Sequence, residues 1–237
     1  MSPRNDLAIY EDHAETWWRP DSKAFRSLRA VCDHDLELIR EAWGGRLAGA
    51  RVVDLGCGGG FLSLDLAALG ADVTGVDLSA GSLAQAREQA RLRGLRARFV
   101  RADVVDCPLG SGSFDFALLH DVLEHVDDPR RVVAEAARLL RPGGGLYAST
   151  VDRGFLSTLQ VVWLGEGLGL IPRGTHDPRL FLRPDELEGF AREAGLRVTS
   201  TIRRRPEFLA TLREWTIRLR VADSGPTYAC FLVKEPA

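Results

Sequence analysis

Short apolar runs and amphipathic segments alternate over most of the chain. Apolar residues recur at steps of three and four positions across residues 30–43, which is the period of an α-helix with one buried face. Short runs rich in β-branched residues come later, at residues 50–55, 72–76, 98–100, 114–119 and 146–150. Their composition predicts buried strands. We therefore expect a first helix followed by a series of strands.

Segments with helical periodicity separate the predicted strands. They span residues 61–69, 80–93 and 129–140, with Ser79 as the N-cap of the second and Pro142 after the third. Strands that alternate with helices at this spacing need right-handed crossovers, so they run parallel. We predict the α/β class, with a doubly wound and mostly parallel sheet.

The end of the chain adds further elements to this sheet. A helix is predicted over residues 184–194, and strands over 198–202 and 228–233 bring the total to seven, the last one antiparallel. Before that helix, an apolar segment containing several glycines interrupts the alternation. We interpret residues 153–182 as an inserted lid.

Length and composition fit one elaborated domain. The 237 residues are 45% hydrophobic and 27% charged, which supplies both a core and a solvated surface. We expect a helical cap over residues 1–45 and one α/β domain over residues 46–237.

Charge and cysteine content narrow the partners and the compartment. The formal net charge of -2 argues against a nucleic-acid-binding protein. The four cysteines are scattered without a C-x-x-C pair, so neither zinc nor disulfides are indicated. No secretory leader or membrane span is predicted. We expect a cytoplasmic location.

A glycine-rich loop follows the first predicted strand. Because glycines lack side chains, such a loop lets a ligand approach the backbone closely. The dinucleotide fingerprint G-x-G-x-x-G would need glycine where Phe61 stands, and the pattern is instead G-x-G-x-G. This spacing disfavours a pyrophosphate and favours another nucleoside cofactor. The expected contacts are Asp54, Gly56, Cys57, Gly58 and Gly60.

Acidic residues end the next two predicted strands. Asp77, followed by Leu78, lies at the sheet edge shared with the glycine loop, where a carboxylate can accept both hydroxyls of a ribose. Asp103 could accept from an adenine amino group while Val104 flanks the ring. Ligands bind at the carboxyl ends of strands in open α/β sheets. The pattern therefore predicts an adenosyl group.

The stretch Asp54–Gly60 resembles the first motif of the class I S-adenosylmethionine-dependent methyltransferases. Other segments resemble one subgroup, the ubiquinone-biosynthesis O-methyltransferases. These segments are Trp17–Trp18, Val53–Phe61, Asp121–Val126 and Ile171–Asp177, the last followed by Phe181 and Pro184. The resemblance spans residues 10–196 and implies a Rossmann-like fold with S-adenosyl-L-methionine as cofactor.

The resemblance also implies roles for individual residues. Cofactor contacts fall on Gly56, Asp77 and His120. A divalent cation, Mg²⁺ or another, is implied at Asp121, Glu124 and His125. Asp121 stands where the relatives carry a longer glutamate.

Two departures distinguish the chain from that subgroup. An arginine that touches the cofactor in the relatives falls near Asp35, and Arg29 or Arg40 could substitute for it. The tail carries Arg203–Pro206 in place of a Tyr-Asn-Pro segment. These departures leave the methyl acceptor open.

Methyl transfer to a phenolic oxygen needs a base or a cation beside the acceptor. Asp121, Glu124 and His125 stand at positions i, i+3 and i+4, which predicts one helix face able to bind a cation as a Lewis acid. The alternative is a helix start whose acidic residues complement the dipole. The candidate catalytic residues are His125, Glu124 and His176, with His176 as the alternative base.

The predicted lid is far more apolar than a solvent-exposed loop needs to be. Its apolar residues run from Phe155 to Ile171, with Arg173 and Arg179 nearby. One interpretation is an interfacial segment that makes peripheral membrane contact and reaches a prenylated substrate. The other is a cap over the pocket or a contact between subunits, and the oligomeric state stays open.

Together these patterns predict an enzyme that methylates the phenolic or catechol hydroxyl of a small molecule, with a polyprenylated ubiquinone precursor as one candidate. A secondary-metabolism O- or N-methyltransferase on the same scaffold is the alternative. An NAD-dependent dehydrogenase and a non-catalytic cofactor-binding protein are weaker hypotheses. The acidic balance disfavours a nucleic-acid substrate.

Overall fold

Eight strands form one sheet in the computed structural model, which describes residue 5 and residues 7–22 and 25–236. They are β1 (Arg51–Leu55), β2 (Asp72–Asp77), β3 (Ala97–Arg101), β4 (Phe114–His120), β5 (Leu140–Val151), β6 (Leu196–Pro206), β7 (Leu219–Val221) and β8 (Thr227–Lys234). The spatial order is β3-β2-β1-β4-β5-β8-β6-β7. The first five strands pair in parallel, and β8 pairs antiparallel with β5 and β6. The predicted fold class and the antiparallel last strand are confirmed.

The strand count is one higher than predicted. Strand β7 has three residues and pairs antiparallel with the end of β6, from Arg204 to Pro206. Its sequence is too short for an alternating pattern to identify it, and its side chains are largely exposed. The sheet therefore has eight strands rather than seven.

Two helices precede the first strand, and the other helices lie between strands. In the described residues the helices are α1 (Ile9–Asp12), α2 (Arg26–Trp43), α3 (Phe61–Ala68), α4 (Ala80–Leu92), α5 (Pro129–Leu139), α6 (Phe155–Ser157), α7 (Pro184–Glu193) and α8 (Phe208–Glu214). The Ser79 hydroxyl caps α4 by accepting from the Ser82 amide at 3.0 Å, as predicted.

The core lies on both faces of the sheet. Successive residues of β1 point to opposite faces, so Val52 joins a core that includes α2, whereas Val53 and Leu55 join a core that includes α5. Helix α2 contributes Ile39 and Trp43 to the first of these cores. Because both faces of the sheet are buried, the sequences of its central strands are nearly continuous apolar runs.

The strand order reverses between β1 and β4. Strand β2 lies on one side of β1, and β4 lies on the other. In open α/β sheets this switch point opens a crevice at the carboxyl ends of the strands. The glycine loop after β1 and the residues that follow β4 therefore meet at that edge.

Residues 153–182 leave the sheet after β5 and return before α7. They contain the short helix α6 and a π-helical segment, Thr158–Glu166, which is an uncommon local structure that often marks a functional site. Val161 and Val162 of this segment are buried, whereas Trp163 is 66% exposed. The lid thus packs through one face and leaves apolar side chains in solvent on the other.

Among the residues that the structure describes, no helix combines the length and hydropathy needed to cross a membrane. All four cysteines are buried free thiols.

Candidate active site

The glycine loop adopts backbone conformations that other residues rarely tolerate. Gly56 has φ of 78° and Gly58 has φ of 49°. A Cβ at Gly56 would lie 2.4 Å from Cγ2 of Val122, and one at Gly58 would lie 2.6 Å from Cη2 of Trp17. Both positions therefore need glycine for conformation and for space.

Asp77 is tied to this loop by hydrogen bonds. One carboxylate oxygen accepts from the Gly58 amide at 2.8 Å, and the other accepts from the Ser79 amide at 2.8 Å. Burial raises the pKa of Asp77, although these two backbone bonds oppose the rise. Each oxygen keeps a further lone pair, so the carboxylate can still accept from a ribose.

Asp54, near the end of β1, forms a buried hydrogen bond beside the glycine loop. Its Oδ2 atom accepts from the Ser63 hydroxyl at 2.5 Å, and the carboxyl is buried. Burial raises the pKa of Asp54 to about 6, and the Ser63 hydroxyl works in the opposite direction. This carboxyl links the end of β1 to α3.

The amino-terminal segment covers the same edge of the sheet. The Trp17 indole stacks on Phe25, with ring centroids 3.9 Å apart, and its Nε1 donates to the Ser82 hydroxyl at 2.9 Å. The Glu11 carboxylate accepts from the Gly81 amide at the start of α4. These long-range contacts hold residues 7–18 over the glycine loop.

A cavity of about 340 Å³ runs along this edge, and its lining is mainly apolar. Most of the predicted cofactor residues line it, namely Asp54, Gly56, Cys57, Gly58, Asp77, Leu78, Val104 and His120. Two predicted residues lie outside the lining. Gly60 instead precedes α3, with φ of 80°, and Asp103 is exposed and accepts from the Val105 amide at 3.1 Å. A contact between Asp103 and the adenine stays a prediction.

His120 lies in a buried charged cluster. Its Nε2 atom is 3.1 Å from Oδ2 of Asp35 and 3.9 Å from Oδ2 of Asp121. Burial opposes protonation of the ring, but Cys32, Asp121 and Asp35 outweigh it and raise the pKa of His120 well above its ordinary value. Asp35 in turn pairs with Arg204, and neither residue is exposed.

The prediction of one helix face for Asp121, Glu124 and His125 is wrong. The segment contains only a 3₁₀ turn, Leu123–His125, and Asp121 precedes it in a left-handed conformation with φ of 50°. Because this geometry does not repeat every 3.6 residues, the three side chains separate into two groups. Asp121 joins Asp35 and His120.

Glu124 and His125 are grouped instead with His176 from the lid. The ligand atoms of these three side chains all lie within 4.8 Å of one another. Glu124 accepts from the Thr150 hydroxyl at 2.7 Å, and burial followed by the Asp121 charge raises its pKa to about 8. Burial and then His176 lower the pKa of His125 to about 3, so its ring is neutral at physiological pH.

A neighbouring side chain orients each of the two histidines. The Nδ1 atom of His125 lies 2.9 Å from Oδ1 of Asn5. The Nδ1 atom of His176 lies 3.3 Å from Oε1 of Glu166, whose carboxylate also accepts from the Gly174 and His176 amides. Sequence reasoning missed Glu166, because an acidic residue inside an apolar run gives no sign of its partner.

The two arginines that were candidates to replace the relatives' arginine lie outside the cavity lining. Arg29 pairs with Asp33 and Asp65, and Arg40 is exposed. Asp35, at the position of the relatives' arginine, instead pairs with another arginine, Arg204. Arg204 does line the cavity.

The group formed by Glu124, His125 and His176 would offer a metal ion both oxygen and nitrogen ligands. One carboxyl and two imidazoles suit a borderline cation better than Mg²⁺, which prefers oxygen ligands in octahedral geometry. The predicted Mg²⁺ set of Asp121, Glu124 and His125 does not come together as a single group.

The fold, the glycine loop and the carboxylate at the end of β2 are together those of a class I S-adenosylmethionine-dependent methyltransferase. The family described as "Methyltransferase domain" matches residues 53–148. The solved structure of a SAM-dependent methyltransferase from Thermotoga maritima, titled a possible histamine N-methyltransferase, has the same fold. Its TM-score is 0.67 at 23% identity, over 96% of this chain and 99% of that one.

Curated relatives refine this assignment. The ubiquinone biosynthesis O-methyltransferase of Aromatoleum aromaticum is 41% identical over 196 residues, which is 81% of each chain. The protein of the same name from Bordetella avium is 42% identical over 193 residues, 81% of this chain and 79% of that one. The chain belongs to the family of these ubiquinone biosynthesis O-methyltransferases.

Proposed function

We propose that this methyltransferase transfers the methyl group to a phenolic or catechol hydroxyl of a small, largely apolar molecule. The observation that carries the proposal is the mainly apolar cavity that joins the glycine loop to the group formed by Glu124, His125 and His176. An apolar cavity with a few convergent polar groups is the usual form of a small-molecule site. A polyprenylated ubiquinone precursor, the substrate class that the names of the curated relatives indicate, is the first candidate.

In the proposed reaction, the acceptor oxygen attacks the methyl carbon in line with the carbon–sulfur bond. That bond breaks, its electron pair goes to sulfur, and the products are the methyl ether and a neutral thioether. The acceptor hydroxyl must also lose its proton, because a free phenol has a pKa of about 10. The protein's contribution is alignment, exclusion of water and removal of this proton.

His176 is the proposed base. Glu166 lies beside its Nδ1 atom, an arrangement that keeps a proton on Nδ1 and leaves Nε2 free to accept one. His125 is the weaker candidate, since its pKa of about 3 makes it a poor proton acceptor. Glu124, with its raised pKa of about 8, is protonated at neutral pH and can donate a hydrogen bond to the acceptor.

A divalent cation is the alternative to a protein base in this proposal. Glu124, His125 and His176 would hold it, and when bound it would lower the pKa of the acceptor hydroxyl. The two imidazoles of this donor set favour Zn²⁺ over Mg²⁺.

Contact with a membrane surface is also proposed for the lid. Phe155, Leu156 and Trp163 are each at least 65% exposed, and exposed apolar groups of this size commonly mark an interaction surface. Leu209 of α8 is 81% exposed as well, and Pro206, Ile217 and Leu219 around α8 line the cavity. A prenylated acceptor could then pass from a bilayer into the cavity.

The decisive experiment offers methyl-labelled cofactor with a panel of catechols, with and without a prenyl chain. We expect label in a methyl ether and a higher kcat/KM for prenylated members. Label on an amine substrate only would favour the secondary-metabolism alternative, and cofactor binding without turnover on any acceptor would contradict the proposed activity.

Glu166→Gln tests the role of His176 as a base. We expect a lower kcat, an altered pH profile and an unchanged affinity for S-adenosylhomocysteine, because only the orientation of the base is disturbed. The matched control is Glu193→Gln, an exposed residue of α7 that pairs with Arg130. Equal pH profiles for the wild type and Glu166→Gln would contradict this role.

A further inference from the structure

Carboxyl groups outnumber cationic side chains in the cavity lining, where the His120 ring, with its raised pKa, and one arginine carry positive charge. The lining carries the carboxyl groups of Asp54, Asp77, Asp121 and Glu124. Within the described part of the chain, it carries one arginine, Arg204, and no lysine. A cofactor with a sulfonium and an ammonium group suits acidic surroundings, but its amino-acid carboxylate would be repelled by them.

Arg204 reaches this region from a distant strand. It starts on β6, and its Nη1 atom donates to both carboxylate oxygens of Asp35 on α2. Its Nη2 atom donates to the Tyr228 carbonyl at 3.3 Å and lies 3.7 Å from Oδ1 of Asp121. The side chain is only 1% exposed, so its charge is fixed in place.

The guanidinium is not fully paired. Its Nε atom is buried and has no hydrogen-bond partner in the described chain. Arginine has five N–H donors, and a buried donor without an acceptor is costly. A ligand acceptor would remove this cost.

The position of Arg204 matches the geometry that the cofactor requires. In the predicted binding mode, Asp77 and the glycine loop that it bonds to hold the sugar end, and Val122 packs against Gly56 from the segment after β4. The amino-acid arm therefore extends toward His120 and Asp121, where the Arg204 guanidinium lies.

We propose that Arg204 binds the amino-acid carboxylate of S-adenosylmethionine, while Asp35 holds the guanidinium in position from α2. The ammonium group of the same arm would lie toward Asp121. A planar guanidinium can meet a carboxylate through two N–H groups, which explains the choice of arginine. This proposal rests on the cofactor occupying the cavity beside the glycine loop.

Two ligands separate this role from a structural one. S-adenosylhomocysteine carries the amino-acid arm, and 5′-methylthioadenosine lacks it. The test variant combines Asp35→Asn with Arg204→Gln, which removes both charges and leaves neither buried alone. Calorimetry should show S-adenosylhomocysteine affinity falling by about 10- to 100-fold and methylthioadenosine affinity unchanged.

A neighbouring pair provides the matched control. Arg203 precedes Arg204 on β6, pairs with Asp152, and lies outside the cavity lining. Asp152→Asn with Arg203→Gln should leave both affinities unchanged. The proposal is overturned if the test variant weakens both ligands equally, or weakens S-adenosylhomocysteine no more than the control does.

Arg204→Lys keeps the test decisive should the double variant fail to fold. Lysine preserves a charge opposite Asp35 but removes Nε and the two-pronged geometry. We expect a smaller preference for S-adenosylhomocysteine over methylthioadenosine than in the wild type. An unchanged preference would overturn the proposal.

Discussion

The two sides of the cavity are held by different kinds of contact. On the cofactor side, Asp77 bonds to the backbone of Gly58, and Asp54 bonds to Ser63. On the acceptor side, the Asn5 side chain lies against the His125 ring and the Glu166 side chain against the His176 ring, and each also bonds to the backbone of its histidine. The first side depends on backbone shape, which tolerates few residues, whereas the second depends on side chains that can be exchanged.

This difference has a functional consequence. All S-adenosylmethionine-dependent enzymes bind the same cofactor, so a backbone cradle suits a constant ligand. Acceptors vary among such enzymes, so side chains carried by a lid can change with them. The two sides should therefore respond differently to substitution.

His176→Ala should give the largest effect, confined to the acceptor side. Loss of a general base typically lowers kcat by about 10²- to 10⁴-fold, and the affinity for S-adenosylhomocysteine should not change. Steady-state kinetics and calorimetry check the two quantities separately. His34→Ala on α2, outside the cavity lining, is the control. An unchanged kcat for His176→Ala would remove His176 from the mechanism.

Gly56→Ala should destabilise the cofactor side through its backbone. The left-handed conformation costs about 1–2 kcal/mol, and the overlap with Val122 adds about 1–3 kcal/mol. Gly94→Ala is the control, because Gly94 has φ of 63° but open space around its Cβ position. Urea unfolding should rank the two variants, and equal losses would show that space at Gly56 is unimportant.

Asp77→Ala should weaken cofactor binding with little effect on the fold of the lid. Losing charge-assisted hydrogen bonds to a ribose lowers affinity by about 10- to 100-fold. Calorimetry with S-adenosylhomocysteine measures the loss. Asp72→Ala, at the exposed start of the same strand, should bind like the wild type. Tight binding by Asp77→Ala would place the sugar elsewhere.

Asp54→Asn should give the smallest effect, one that depends on pH. The pKa of Asp54 is about 6 in the folded protein, against 3.8 in the unfolded chain, so the folded state holds the proton more tightly. Stability from this group is present below pH 4 and is lost as the pH rises to 6. The stability of the variant should therefore rise relative to the wild type across that range, so that its melting temperature compares better with the wild type at pH 7 than at pH 4. Parallel melting curves at pH 4 and pH 7 would contradict this.

The local parts of the structure were predictable from particular residues. Ser79 caps α4 because a hydroxyl directly before a helix can accept from its first turn. The glycine spacing, which indicated a nucleoside cofactor, could be recognised because the motif consists of neighbouring residues. Strand β7 was not predicted because its three residues are too few to show an alternating pattern. The prediction of a helix face at Asp121 was wrong because a 3₁₀ turn replaces the expected α-helix.

The alternation of the first five strands with helices, the glycine loop and the acidic residue that faces it were predictable from local pattern, because they follow from periodicity and from conformations that glycine favours. The pairing of Arg204 with Asp35, the contact of Asn5 with His125 and the grouping of His176 with Glu124 depend on the folded chain. The separation in the chain is 52 positions for Glu124 and His176, and 169 positions for Asp35 and Arg204. Only packing of the whole sheet brings them within hydrogen-bonding or ligand distance, so no local pattern could encode them.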